Sequence, residues 1–341
     1  MPEGMQTGAP SPELVWNTIN GFVRTSALRA AVELDLFTAV GEGHTDVPAL
    51  ARRCNASERG IRALANYLVT IELLGKTDGR YHHTPTSAAF LDRNSPACLA
   101  ETTRFLSHAY VMGAYDNLAA VVRNGRTALP GQGTVEENHK IWVEFARGMA
   151  PMMKPMAAPL GQIVLNGARG LMRVLDIAAG HGLFGIEIAK QNPKATVVAL
   201  DWEAVLEVAR ENAEEAGVAD RFQTINGSAF DVDFGGPYDA ILLTNFLHHF
   251  DPETCVKLLK KVRASLAPGG KAATLEFIPN DDRVTPAIPA AFSLMMLATT
   301  ANGDAYTYRE LDQMHREAGF TRTTIHPVPK SPHQIVLGYQ E

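Results

Sequence analysis

The sequence is short of several features that define specialised classes of protein. Its 341 residues include three cysteines, Cys54, Cys98 and Cys255, which are widely spaced and odd in number. Such a set predicts neither a disulfide framework nor a zinc site, and it favours a reducing, cytoplasmic location. Basic residues are the minority, with 31 Lys and Arg against 37 Asp and Glu. The resulting net charge of −6 argues against a general nucleic-acid binder.

The N-terminus also lacks a long hydrophobic run. The first thirteen residues, MPEGMQTGAPSPE, are polar and acidic. They predict neither a signal peptide nor a transmembrane segment, and we expect no association with membranes. With 46% hydrophobic and 20% charged residues, the composition is typical of a globular protein. The length has room for two domains. Changes of pattern along the chain predict three regions, 14–95, 96–166 and 167–341.

Strands and helices alternate in the third region, which predicts an α/β fold with an open, mostly parallel sheet. The predicted strands are Leu171–Ile177, Thr196–Leu200, Phe222–Ile225, Tyr238–Leu243, Lys271–Ile278, Thr323–Val328 and Gln334–Tyr339. A short link joins the last two, so they should form an antiparallel hairpin, unlike the all-parallel order of dinucleotide-binding sheets. The tripeptide Pro268-Gly269-Gly270 predicts a sharp turn just before the strand Lys271–Ile278.

The most informative stretch runs from Val174 to Asp201, where an apolar strand enters a loop of small residues and a helix follows. The glycines of this loop match the dinucleotide fingerprint G-x-G-x-x-G, a match that is weak by itself. An acid precedes the loop, at Asp176, and a carboxylate there should repel a pyrophosphate and attract an ammonium group. We therefore prefer a nucleotide that carries an amino acid, with NAD(P) or a vestigial site as alternatives.

S-adenosylmethionine (SAM) has such an ammonium group and no phosphate. The pattern Asp176-x-Ala178-x-Gly180-x-Gly182 resembles the first motif of class I SAM-dependent methyltransferases, with Ala178 in place of a glycine. Ala178 keeps the wall small but loses the freedom of glycine at positive φ. The acid that ends the second strand, Asp201, suits a ribose diol.

Ligands of such sheets bind beyond the carboxyl ends of the strands. The residues predicted there to complete the cofactor site, mostly around an adenine ring, are Trp202, Gly227, Ser228, Ala229, Phe230, Thr244 and Asn245. Trp202 and Phe230 would lie against the two faces of the ring. The alternative for Phe230 is a core side chain after a turn.

Two adjacent histidines, His248 and His249, follow the fourth strand. Because the two side chains diverge, they should not bind one metal ion, and no metal is predicted. A histidine of near-neutral pKa suits the deprotonation of a hydroxyl, and His248 is the candidate base. Glu276 lies in an apolar strand and needs a buried partner. Glu310 could also orient the base, or it could be a solvated acid in a first helical turn.

Aromatic and methionine side chains predict an apolar, adaptable substrate pocket. The residues assigned to it, together with His249, are Phe105, Met112, Phe145, Met149, Met152, Phe292, Met295 and Met296. For the methionines of the segment Ile141–Met156, a purely structural place in the core is an equal alternative.

The first region predicts a winged helix, with Asp46 and Ser57 as helix caps and a small hairpin near Lys76–Thr84. The helix that would be its recognition helix carries Arg59 and Arg62, but few further cations support a DNA-binding function. Apolar residues occupy more than one helical face of Leu14–Phe37, which predicts an obligate homodimer through this region.

Taken together, the chain from about Leu14 onward resembles the small-molecule O-methyltransferases, the family of plant caffeic-acid and flavonoid enzymes and of bacterial antibiotic-tailoring enzymes. The resemblance rests on the SAM loop, Asp201, the segment Leu247–Cys255, Glu276 and the segment Glu310–Phe320. It implies a seven-stranded Rossmann-like sheet, an N-terminal winged-helix dimerisation domain, His248 as the base, and two orienting carboxylates at Glu276 and Glu310.

The resemblance further implies SAM as methyl donor, S-adenosylhomocysteine (SAH) as product, and a hydroxyl of an aromatic or polyketide-like molecule as acceptor. In place of the family motif His-Asp-Trp the sequence has His248-His249-Phe250, so the acidic neighbour of the base is missing. Some family members bind SAM without transferring its methyl group and promote pericyclic, decarboxylation or hydroxylation chemistry. That function is the alternative.

Overall fold

The structure is a computed structural model that describes residues 10–131, 133 and 141–340. The chain divides into two compact units after Ser107. The first unit is helical with one small hairpin. Its helices are α1 (Glu13–Ile19), α2 (Gly21–Glu33), α3 (Leu36–Gly41), α4 (Val47–Arg53), α5 (Glu58–Thr70), α6 (Pro85–Phe90) and α7 (Ala100–Leu106), and its strands are β1 (Leu74–Thr77) and β2 (Arg80–His83).

Local signals place the helices of the first unit as expected. The Asp46 carboxylate accepts the Ala49 N–H at 2.8 Å and caps α4, and the Ser57 hydroxyl accepts the Gly60 N–H at 3.1 Å and caps α5. Strands β1 and β2, which follow these two helices in the chain, pair in antiparallel register. The predicted succession of two capped helices and a hairpin is confirmed.

The first unit buries only part of its apolar surface. Its core contains Leu36, Phe37, Leu50, Ile61 and Leu68, each at most 1% exposed. Helix α1 contributes no buried residue. Five apolar side chains of α1 and the start of α2 remain more than half exposed, namely Leu14, Val15, Trp16, Ile19 and Phe22. We call these five residues the N-terminal apolar face.

The second unit is a sheet with helices. Its helices are α8 (Ala109–Gly113), α9 (Leu118–Asn124), α10 (Ile141–Leu165), α11 (Leu183–Gln191), α12 (Glu203–Glu215), α13 (Pro252–Ala264), α14 (Ala287–Thr299) and α15 (Tyr308–Glu317), with short 3-10 turns at Ala219–Arg221 and Leu247–His249. Its strands are β3 (Met172–Ile177), β4 (Ala195–Asp201), β5 (Phe222–Asn226), β6 (Tyr238–Thr244), β7 (Leu266–Phe277), β8 (Arg322–Pro327) and β9 (His333–Tyr339).

The seven strands have the order β5-β4-β3-β6-β7-β9-β8. Strands β3 to β7 pair in parallel, whereas β9 runs antiparallel to both β7 and β8. The predicted fold class, an α/β seven-stranded sheet with a reversed last strand, is confirmed. The central strands β3 and β6 are nearly continuous runs of buried residues, as strands covered on both faces require.

One turn prediction is wrong. Pro268-Gly269-Gly270 does not separate a helix from a strand but lies inside β7. Tyr238 of β6 pairs with Leu266, and Ala240 already pairs with Lys271, so the tripeptide forms an irregularity in the ladder. The glycines permit it, since a Cβ on Gly270 would come within 2.9 Å of the Tyr238 carbonyl.

The helical region before the sheet belongs to the second unit. Ala146 of α10 packs with Val205 and Val208 of α12 in one buried cluster. Along α10, Met149, Met153 and Met156 are buried, so these methionines have the core place that was one of the two alternatives. Every helix in the described part of the chain is too short or too polar to span a bilayer.

Candidate active site

A cavity of about 710 Å³ opens beyond the carboxyl ends of β3, β4, β5 and β6. This is the place that open α/β sheets give to a ligand. The described residues that line it are Gly131, Trp142, Phe145, Ala178, Gly180, Leu200, Asp201, Trp202, Val205, Gly227, Ser228, Ala229, Phe230, Thr244, Asn245, Phe246, His249, Phe250, Asp251, Thr254, Ala301 and Asn302. Of the predicted cofactor residues, this wall omits Asp176 and Gly182.

The loop after β3 has an unusual backbone. Ala178, Gly180 and Gly182 all have positive φ, at 53°, 57° and 71°. Ala178 therefore adopts the conformation that its replacement of glycine was expected to hinder, at a cost of roughly 1–2 kcal/mol. Gly182 does not face the cavity, because a Cβ there would approach Ala209 of α12 at 3.0 Å. Its role is the close packing of α11 and α12.

Asp201 closes this loop from the end of β4. One carboxylate oxygen accepts the Gly180 N–H at 2.8 Å, and the other accepts the Trp202 N–H at 2.7 Å. Burial raises the pKa of Asp201 to about 6, while these two hydrogen bonds act in the opposite direction. The carboxylate is thus mainly ionised at pH 7, and it lies in the cavity wall.

Asp176 has a different place from the one that the sequence predicted. It is fully buried beneath the loop, where one oxygen accepts the Gly185 N–H at 3.1 Å and the other, Oδ1, has no partner among the described residues. Burial raises the pKa of Asp176 to about 8. Since the group carries little charge at pH 7, its repulsion of pyrophosphate is not the reason to reject NAD(P). The reversed strand β9 is the better reason.

The loop after β5 forms the opposite wall. Gly227 donates its N–H to the Asp201 carbonyl at 3.0 Å, which ties the ends of β4 and β5 together. Phe230 and Trp202 both line the cavity, and Phe230 is 39% exposed. Its ring contacts the edge of Phe250, with centroids 5.0 Å apart. The alternative of a core side chain is therefore not what the structure shows for Phe230.

His248 and Glu276 form a buried pair across neighbouring strands. The His248 Nδ1 lies 2.5 Å from Glu276 Oε2. The other oxygen, Oε1, accepts the backbone N–H groups of Phe246 and Leu247 at 3.0 and 2.9 Å. One carboxylate thus holds both the histidine ring and the backbone of the turn that carries it. His248 is only 5% exposed and is not in the cavity wall given above.

His249 has the opposite character. It lines the cavity, its ring lies 4.3 Å from that of His248, and Trp142 contacts it edge-on at 5.5 Å. Its Nδ1 is buried without a partner among the described residues. Burial, and next the neighbouring His248, lower the pKa of His249 well below the usual histidine value. His249 is therefore a neutral imidazole at physiological pH.

The structure does not bring Glu310 to the histidine pair. Its carboxylate accepts the Thr307 N–H at 2.9 Å in the capping box of α15, and it forms an ion pair with Arg283. Helix capping and this ion pair explain the position of the Glu310 side chain. Its alternative as a solvated acid in a first helical turn fits these contacts, and its orienting role stays a prediction.

Among the residues predicted to contact the substrate, Phe145 and His249 line the cavity. Phe292 of α14 packs its edge against the His248 ring at 4.8 Å, so it lies next to the pair rather than in the wall. Met149 and Met296 are buried. The described cavity wall also omits Met112, Met152 and Met295. Phe105 lies on α7 of the first unit, and its assignment stays a prediction.

Sequence reasoning left several residues at the site unassigned, and three of them are instructive. Trp142 lies one turn before Phe145 on α10, and its helical spacing allowed a place either in the core or in the pocket. Asn302 follows α14 and belongs to no recognisable sequence motif, so no sequence signal could have found it. His333 begins β9, and its Nε2 lies 3.1 Å from the Asn245 Oδ1, a contact that only the pairing of β7 with β9 creates. Burial lowers the pKa of His333 to about 3, so it too is neutral.

Comparison with protein families assigns both parts of the chain. Residues 115–321 match the model of the O-methyltransferase domain, and residues 16–93 match the O-methyltransferase dimerisation domain. The chain belongs to the O-methyltransferase family. The predicted family and the enzyme class, a SAM-dependent O-methyltransferase, are confirmed.

The relatives of this O-methyltransferase match over nearly their whole length. A putative O-methyltransferase from Nostoc punctiforme PCC 73102 is 46% identical, with a TM-score of 0.93 over 97% of this chain and 100% of that one. The 3-hydroxy-5-methyl-1-naphthoate 3-O-methyltransferase of Streptomyces sahachiroi is 28% identical over 94% of this chain and 93% of that protein. Human N-acetylserotonin methyltransferase in complex with SAM shares the fold, with 21% identity, a TM-score of 0.85 and 99% of each chain covered.

Proposed function

We propose that this O-methyltransferase moves a methyl group from SAM to a hydroxyl of an aromatic or polyketide-like small molecule, with His248 as the general base. The observation that carries the proposal is the buried pair of His248 Nδ1 and Glu276 Oε2, at 2.5 Å, on the turn that borders the cavity. A carboxylate at Nδ1 fixes the tautomer in which Nδ1 holds the proton. The lone pair of Nε2 is then available to accept the hydroxyl proton.

We assign different roles to the two histidines because their surroundings differ. Glu276 stabilises the imidazolium that forms when His248 takes up a proton. His249 has no carboxylate partner among the described residues, and its lowered pKa makes it a poor base. We assign to His249 a contact with the acceptor, for which its buried and unpartnered Nδ1 offers one hydrogen-bonding atom.

The cavity wall fits SAM. Asp201 would accept the ribose hydroxyls, since each carboxylate oxygen has room for a second hydrogen bond beyond those from Gly180 and Trp202. Trp202 and Phe230 would enclose the adenine, with Ser228 near its amine. The remaining residues of the wall assigned to the cofactor are Ala178, Gly180, Gly227, Ala229, Thr244 and Asn245, whereas Asp176 and Gly182 lie outside the wall.

When bound, SAM supplies a methyl group on a cationic sulfonium, and SAH is its product. The protein therefore contributes alignment and proton removal, and the proposal needs no metal ion.

The acceptor is proposed from the lining and from the relatives. Aromatic side chains line the cavity at Trp142, Phe145 and Phe250, and flat aromatic acceptors pack well on them. The Streptomyces sahachiroi relative is named for a hydroxynaphthoate. The relatives reported above have methyltransferase names, so the comparisons give no support to the alternative of SAM-assisted chemistry without methyl transfer.

We also propose that the enzyme is a homodimer through its N-terminal domain. The N-terminal apolar face is exposed, and the region matches a dimerisation domain. A face of five large apolar side chains is costly in water and typical of an interface. Sedimentation velocity at micromolar concentration should give a dimer, and Trp16→Asp should shift it toward monomer. An active monomeric wild type would contradict the proposal.

Incubation with methyl-labelled SAM tests the reaction. The enzyme is given a panel of hydroxylated naphthoates, anthraquinones and simple phenols, and products are separated by mass. Label in an O-methylated product supports the proposal. A new product formed while the label stays on SAM would instead establish the alternative chemistry.

A further inference from the structure

Lys261 lies on α13, and it is not part of the described cavity wall. Its ammonium group donates to three backbone carbonyls of one loop, those of Ala229 at 2.9 Å, Phe230 at 3.2 Å and Val232 at 2.6 Å. An ammonium group has three protons and therefore three donors. Each donor is used within the protein, so Lys261 has none left for a ligand.

The loop Ala229–Val232, which Lys261 contacts, has few other hydrogen bonds to these carbonyl groups. Within it, the N–H groups of Asp231 and Val232 both donate to the Ser228 carbonyl at 3.0 Å, and that of Phe230 donates to the Ser228 hydroxyl at 3.2 Å. These bonds order the amide groups. For the carbonyls of Ala229, Phe230 and Val232, Lys261 is the donor found among the described residues.

The ammonium group is itself held in place. Its nitrogen lies 4.4 Å from the ring centroid of Phe234, a side chain that is 1% exposed. Such a cation–π contact fixes the position of the charge against the core. Burial lowers the pKa of Lys261, and the nearby Asp231 and Asp233 act against this decrease. The charge is therefore anchored from the core side and from the loop side.

We infer that Lys261 is a positioning residue for the nucleoside end of the cofactor cavity. By holding three carbonyls away from the cavity, it turns the backbone so that Ala229 and Phe230 face inward, where both line the wall. The inference rests on the proposed function, because it assigns this wall to the adenosine of SAM. Lys261 acts through the loop and has no part in the chemical step.

A matched pair of variants tests this. Lys261→Met keeps the length of the side chain and removes its donors, whereas Lys257→Met, on the same helix, removes an exposed lysine paired with Glu253. For Lys261→Met, we expect the Kd for SAH and the KM for SAM to rise about tenfold. The kcat at saturating SAM and the KM for the acceptor should stay near the wild-type values, and Lys261→Arg should restore part of the affinity.

An unchanged SAH Kd in Lys261→Met would overturn the inference, and so would a fall in kcat without a change in SAM affinity. Amide hydrogen exchange in the loop gives a readout that does not require cofactor binding. Faster exchange at Ala229–Val232 in Lys261→Met than in Lys257→Met supports the inference, and equal exchange overturns it. A wild type that binds no SAH would refute the proposed function instead, and the exchange experiment would still decide the role of Lys261.

Discussion

Two parts of the site lie at the same edge of one sheet but are built differently: the rim, formed by the loop Ala178–Gly182 with Asp201, and the histidine turn, Leu247–His249. At the rim, backbone groups and loop conformations dominate, as in the positive φ angles of Ala178 and Gly180 and the two N–H groups that bind Asp201. At the histidine turn, a side chain from another strand decides the arrangement, since Glu276 holds both the His248 ring and the backbone before it.

This difference has a consequence for substitution. A rim built from backbone groups tolerates changes in most side chains as long as the loop can adopt its conformation. A turn built around one buried carboxylate depends on that residue for both geometry and charge. Variants in the two regions should therefore separate binding from turnover.

The largest effect is expected at His248. The His248→Ala variant should lose about 10²–10⁴-fold in kcat, because the hydroxyl proton then has no positioned acceptor. Its SAH Kd, measured by titration calorimetry, should stay near wild type. The neighbouring His249→Ala is the matched control and should mainly raise the KM for the acceptor. Near-normal turnover in His248→Ala would show that another group is the base.

At the rim, Asp201→Asn should raise the Kd for SAM about 10- to 100-fold and leave kcat at saturation nearly unchanged. The amide keeps one accepting oxygen but loses the charge that strengthens hydrogen bonds to the ribose hydroxyls. Asp220→Asn, an exposed acid outside the cavity wall, is the control. If Asp201→Asn bound SAM as tightly as the control, the ribose would have to lie elsewhere.

Asp176 predicts a pH dependence of stability. Its folded-state pKa of about 8 lies above the ordinary value of 3.8, so its stabilising effect is complete below about pH 4 and is lost as the pH rises through 8. Asp176→Asn keeps an oxygen for the Gly185 N–H and removes the ionisation. Its unfolding free energy should fall less between pH 5 and pH 8.5 than that of wild type, by on the order of a few kcal/mol. Unfolding free energies from urea titrations give the measurement. If they changed equally with pH in wild type and in Asp176→Asn, the assignment would be contradicted.

The smallest effect is expected at Glu310. Glu310→Gln keeps an oxygen for the Thr307 cap and loses an ion pair with Arg283 at the surface, a loss of about 0–1 kcal/mol in stability. Its kcat should stay within about twofold of wild type, in contrast to a large loss for Glu276→Gln. A similar loss of turnover in both variants would restore Glu310 as an orienting residue.

Most of the fold could be read from the sequence because its signals are local. The cap at Asp46, the buried run of β3 and the short link before β9 each depend on a few neighbouring residues. The turn at Pro268–Gly270 was misread because the pairing of β6 with β7 continues through it. The composition of that tripeptide shows a break in the backbone but not where the ladder resumes.

The candidate site was predictable only in part. By itself, the sequence determined which residues end each strand, and in parallel strands these ends share one edge. Tertiary structure alone decided which of them face the cavity. It placed His249 in the wall with His248 behind it, buried Asp176 beneath its own loop, and paired Glu276 rather than Glu310 with His248. The physical reason is that burial and charge pairing depend on neighbours distant in the chain, and these neighbours decide which partner each acid and histidine has and whether it faces the cavity.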